Sequence, residues 1–129
     1  MIIFDNCKCI ESINFKKFYR NNITNMGCMF SRCSSLKELN LSNFNTNNVT
    51  DMSFMFSGCS SLKELNLSNF ITNNVINMKV MFSGCSSLKK INISNFNINS
   101  ETYMDYMFTG CSGELKNKIF EQNKSIKIW

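Results

Sequence analysis

Residues 55–70 read MFSGCSSLKELNLSNF. Residues 29–44 repeat the string with Arg32 in place of Gly58. Residues 81–96 repeat it with Lys90, Ile91 and Ile93 in place of Glu64, Leu65 and Leu67. The cysteines set the step: Cys33, Cys59 and Cys85 are each 26 residues apart, and the same step reaches back to Cys7 and forward to Cys111. Self-similarity at one period in this range marks a stacked repeat protein, in which no unit can bury its apolar face alone. The first repeat is degenerate, yet Phe4, Cys7, Ile10, Ile13, Phe15 and Phe18 fall on the positions of Phe30, Cys33, Leu36, Leu39, Leu41 and Phe44. One apolar residue exchanges for another, as inward-pointing side chains require.

Each full repeat carries two apolar periods. Met52, Met55, Phe56 and Cys59 lie at i, i+3, i+4 and i+7, one face of a helix. The spacing therefore predicts a short helical or 3₁₀ turn over residues 50–59, with Thr50 as its N-cap and Gly58 at its exit. Equivalent turns are expected over 24–33, 76–85 and 102–111. In the second period, Leu65-Asn66-Leu67 alternates in, out, in, which reads as a short strand. Its counterparts are Ile13 to Phe15, Leu39 to Leu41 and Ile91 to Ile93. Strands that recur in one direction, once per repeat, pair in parallel. The Asn/Thr-rich returns at 45–48 and 72–74 leave room for a second, shorter strand, and Val49 and Val75 re-enter the core after them. The inward set of one repeat is then Val49, Met52, Met55, Phe56, Cys59, Leu62, Leu65, Leu67 and Phe70.

The fold class is α/β, with short parallel strands alternating with short helical or 3₁₀ turns in about five windings. Residues 1–111 form the repeat domain and residues 112–129 a C-terminal capping segment, because the register fails beyond Cys111. Glu114, Asn117 and Gln122 occupy slots that are apolar elsewhere. Leu115, Ile119 and Phe120 suggest a short helix there, and Ile126, Ile128 and Trp129 an extended tail. The last unit of a stack must depart from the pattern, having no neighbour to cover it.

The strand unit Leu36-x-x-Leu39-x-Leu41-x-x-Phe44 resembles a leucine-rich repeat with Phe at the usual Asn position. The wider unit from Val49 to Phe70 resembles the BspA-like leucine-rich repeats of bacterial and protist surface proteins, over roughly residues 1–111. The resemblance implies a right-handed solenoid, exposure at the cell surface or secretion, and adhesion or partner binding. No run approaches the roughly twenty apolar residues of a membrane span, so no membrane insertion is expected. The N-terminus shows no signal-peptide pattern. Met1 falls inside a repeat, so the expectation is an internal fragment of a longer chain or a cytoplasmic protein.

Fourteen basic and nine acidic residues give a net charge of +5, without the Lys/Arg clustering of a nucleic-acid module, and no nucleic-acid partner is expected. Cys7, Cys33, Cys59, Cys85 and Cys111 form a column read as buried structural thiols. With no His in the chain and ligands 26 residues apart, neither metal nor cofactor is expected. No base sits in register beside a Cys, and no Gly-rich phosphate loop is present, so no catalytic residue is assigned and the protein is read as a non-enzyme.

The outward strand positions form polar columns: Glu38, Glu64 and Lys90; Asn40, Asn66 and Asn92; Ser42, Ser68 and Ser94. As a bland solvated face, the Asn rungs would hydrogen-bond along the stack and Lys37 and Lys63 would alternate with Glu38 and Glu64. As a site, the nine form an extended surface for a protein or glycan partner. The expected function is protein–protein or cell-surface interaction, by a monomer or part of a larger chain. The alternatives are a structural spacer in a larger surface protein, or an intracellular interaction scaffold.

Overall fold

A computed structural model describes residues 3–128. Short parallel strands in two small sheets and one short helix make up its regular structure. Strands β1 (Ser12–Asn14), β2 (Glu38–Asn40), β3 (Glu64–Asn66) and β4 (Lys90–Asn92) each span three residues. β1 pairs β2 with Ile13 opposite Leu39, and β3 pairs β4 with Leu65 opposite Ile91, both in parallel. Successive repeats therefore lie over one another in register. Each strand sits one residue earlier than the apolar pattern predicts. Asn66 ends its strand locally: its Oδ1 accepts the Ser68 N–H at 3.0 Å, an Asx turn that bends the chain away just after Leu67 N–H has reached Asn92 O.

The helical turns expected over 24–33, 50–59, 76–85 and 102–111 are not helices. Each is a run of consecutive β-turns. In the second repeat Met29 N–H reaches Met26 O, Ser31 reaches Cys28 and Cys33 reaches Phe30. The intervening N–H groups leave the repeat altogether: Met26 donates to Asp51 O at 2.8 Å, Cys28 to Ser53 O at 2.9 Å, Phe30 to Met55 O at 2.9 Å and Arg32 to Ser57 O at 2.6 Å. The backbone explains why. Cys28, Phe54, Val80 and Tyr106 hold φ of 57–60°, and Gly58, Gly84 and Gly110 hold 75–81°. Two left-handed residues per repeat, four positions apart, break any right-handed helix. They still return the apolar side chains to one side, which is why the spacing mimics a helix. Nor does Thr50 cap: its hydroxyl donates to Thr24 O. A second line of parallel contact does exist, as isolated bridges joining Asn25, Asp51, Asn77 and Tyr103, just after the returns rather than within them.

All nine residues of the inward set are buried, none above 4 % exposed. Like stacks on like. Phe4, Phe30, Phe56, Phe82 and Phe108 form one pile with centroids 5.3–5.7 Å apart and planes within 9°. Phe18, Phe44 and Phe70 form a second. Buried Thr46 and Thr72 tie repeats together: each hydroxyl donates to a carbonyl of the next repeat and accepts an N–H from it.

Helix α1 (Gly113–Gln122) begins at Ser112, whose hydroxyl accepts the Leu115 N–H, with Glu114 in the favourable first turn. It buries Leu115 and Ile119, while Phe120 stays largely exposed. Gln122 imitates a strand rung. Its amide donates to Ile91 O at 2.9 Å and accepts the Ile93 N–H at 3.3 Å, closing the open edge of β4. Ile126 and Ile128 are buried behind it; Trp129, expected in the same tail, lies outside the described residues.

Candidate binding face

The strands bring the outward columns to one concave surface of about 930 Å³. The side chains of Lys37, Glu38, Lys63, Glu64, Asn66, Lys90, Asn92, Ser94 and Gln122 line it, around the strand residues Leu39, Leu65 and Ile91, of which the last two belong to the buried core. Of the nine residues assigned from sequence, Glu38, Glu64, Asn66, Lys90, Asn92 and Ser94 line this groove. Asn40, Ser42 and Ser68 lie outside it, with Ser68 half-buried.

The strand asparagines do not bond along the stack. Asn40 and Asn66 each accept the N–H of the serine two residues on, at 3.0 Å, and Asn92 accepts from both N–H and hydroxyl of Ser94. Of the three, Asn66 and Asn92 line the groove. The ladder along the stack is built by other asparagines, three residues further on: Asn43 donates to Phe15 O and Lys16 O, Asn69 to Leu41 O, Ser42 O and Phe44 O, and Asn95 to Ser68 O. After α1, Asn123 continues it by donating to Phe96 O. Lys37 and Lys63 do not alternate with Glu38 and Glu64 in ion pairs either. Lys37 pairs instead with Glu11 at 3.4 Å.

Cys33, Cys59, Cys85 and Cys111 are buried free thiols, and Cys7 is half-buried. Each buried thiol donates to a phenylalanine carbonyl of the preceding repeat: Cys59 to Phe30 at 3.2 Å and Cys85 to Phe56 at 3.2 Å, for example. Burial pushes the Cys59 thiol up to about 12, and Cys85 is raised for the same reason. The unfolded thiol ionises first, near 9.0, while the buried one resists. The stability this gives is complete below that value and is lost as pH climbs towards 12. A urea-midpoint series should therefore fall on the alkaline side, and Cys59→Ser should flatten the fall; an equally steep series would refute the assignment. Among the described residues no three of Cys, Asp and Glu converge in a way that could hold a metal ion.

A protein-family model described as "Mycoplasma protein of unknown function, DUF285" matches residues 2–125, nearly the whole chain. The chain belongs to the DUF285 family. No curated protein matches it, and no solved structure does. For this DUF285 chain, alternation places Leu39, Leu65 and Ile91 on the core side, and there they pack. Sequence reasoning missed Gln122, which enters the groove from α1 after the register has failed and so leaves no periodic signal. Lys37 and Lys63 were visible as a flanking column. No helix among the described residues is long and apolar enough to cross a membrane.

Proposed function

We propose that the chain is a segment of a right-handed, BspA-like leucine-rich-repeat solenoid of about five coils. Its strand face binds protein or glycan partners in cell-surface interaction, without catalysis. The observation that carries this reading is the groove. It is concave and lined by exposed charges and amides, groups that orient a bound partner through complementary charge and hydrogen bonds. The asparagine geometry supports it: each strand asparagine spends its oxygen on its own turn, and Asn66 and Asn92 line the groove.

The same geometry supplies the test. In the variant Asn40→Asp/Asn66→Asp/Asn92→Asp every turn keeps its acceptor, while the face loses three amide donors and gains three charges. Screened as the 129-residue chain against glycan and surface-protein arrays, the parent should capture ligands that the triple variant loses by tenfold or more. Exposed Tyr106→Ala, on the turn side, should change nothing. Ligands captured equally by parent and triple variant would remove the strand face from the reading. The near-identity of the middle repeats favours a second reading, a spacer whose role is length. Deleting one 26-residue unit would then leave every captured ligand in place.

A further inference from the structure

The charges in the groove are arranged against stability. At the β1/β2 boundary Ser12 faces Glu38, and at the β3/β4 boundary Glu64 faces Lys90. At the β2/β3 boundary Glu38 and Glu64 are the equivalent residues, and there no ladder forms: the strands fall into two separate sheets. Like charges one strand spacing apart, about 4.8 Å, oppose pairing. The ladder lapses at the one strand boundary where two carboxylates meet. Neither Glu38 nor Glu64 makes an ion pair among the described residues, and neither Lys63 nor Lys90 does. All four line the same groove. A local conflict of this kind, in a chain otherwise consistent from repeat to repeat, marks a place kept for a ligand rather than for folding.

We propose that the groove takes an extended polypeptide segment carrying a basic and an acidic residue two positions apart. The basic residue lies between Glu38 and Glu64, and the acidic one lies at Lys90 with Lys63 beside it. This rests on the strand face being the binding surface and adds the chemistry of its partner. The spacing follows from the rungs. From midway between Glu38 and Glu64 to the rung of Lys90 is one and a half strand spacings, about 7 Å, which two residues of extended chain span. Residues two apart on such a chain also point to the same side. A polyanion is opposed by the two glutamates, and an uncharged glycan leaves their repulsion unrelieved. A ligand with both signs relieves it and satisfies the lysines.

The test uses the 129-residue chain and four fluorescent peptides of one length, with central Arg-Thr-Glu, Arg-Thr-Arg, Glu-Thr-Glu or Ser-Thr-Ser. Measured by anisotropy at low salt, Arg-Thr-Glu should bind at least tenfold tighter than the other three, and added salt should weaken it. In Glu38→Lys/Glu64→Lys that preference should pass to Glu-Thr-Glu. Glu38→Lys alone should raise the melting temperature with no peptide present, because it removes the carboxylate pair while its other strand neighbour is the uncharged Ser12. Equal binding of all four peptides, no binding of Arg-Thr-Glu, or an unchanged melting temperature overturns the charge reading. Capture on the arrays that the Asn→Asp variant abolishes would leave the strand face standing by itself.

Discussion

Phe56→Ala should lower the melting midpoint by roughly 10–20 °C, the equivalent of about 3–5 kcal/mol for a domain of this size. Phe56 is fully buried and lies between Phe30 at 5.7 Å and Phe82 at 5.5 Å, with planes 8° and 4° away from parallel. Truncation removes the transfer term of a large ring and leaves a void bounded above and below by rings. Those rings cannot collapse into it, because each is held by its own backbone bonds to the next repeat: Phe30 N–H to Met55 O and Phe82 N–H to Met107 O, both at 2.9 Å. The middle of the stack is the worst place for the loss, since both neighbouring interfaces feel it. Tyr106→Ala, 74 % exposed, serves as the control and should stay within about 0.5 kcal/mol. Calorimetry of the two variants beside the parent decides the matter. If Phe56→Ala melted with the parent, the continuous aromatic pile would not be what holds the repeats together.

That pile was legible from the sequence, because period 26 together with apolar identity at each position specifies which side chains meet. So were the parallel strands and the terminal helix, whose break in register announced it. Legibility ended where one pattern served two backbones. The positions of Met52, Met55, Phe56 and Cys59 fit a helix face and fit a chain of turns equally well. What separates the two is φ at Phe54, Val80 and Tyr106, and aromatic or β-branched residues give no hint of a left-handed conformation. Gly58, Gly84 and Gly110 carried the hint, but a glycine at that place also suits a helix exit. At the groove, exposure along each column could be read from alternation. The direction of each asparagine could not, since Asn66 and Asn69 share a residue type and differ only in which end of the amide the backbone meets.

That difference makes the second large effect. Asn69→Asp should cost about 2–3 kcal/mol, while Asn66→Asp should stay within about 0.5 kcal/mol. The Asn69 side chain donates to Leu41 O at 3.1 Å, Ser42 O at 3.3 Å and Phe44 O at 3.1 Å. An aspartate there has no donor at neutral pH, and it sets a negative oxygen against three carbonyls that have lost their partner. Asn66 uses only its oxygen, accepting the Ser68 N–H, and a carboxylate accepts that bond as well or better. The pH dependence carries the sign. Facing carbonyls raises the carboxyl pKa of the introduced Asp in the folded state above its unfolded value. The deficit is therefore full at neutral pH and shrinks as pH falls through the carboxylate range, where the protonated acid donates again. Urea titrations at pH 7 and pH 4 should bring Asn69→Asp towards the parent at the lower pH and show no such recovery for Asn66→Asp. Equal costs at the two sites would mean that the amides are flipped from the orientation described, and that the ladder between repeats runs through the strand asparagines after all.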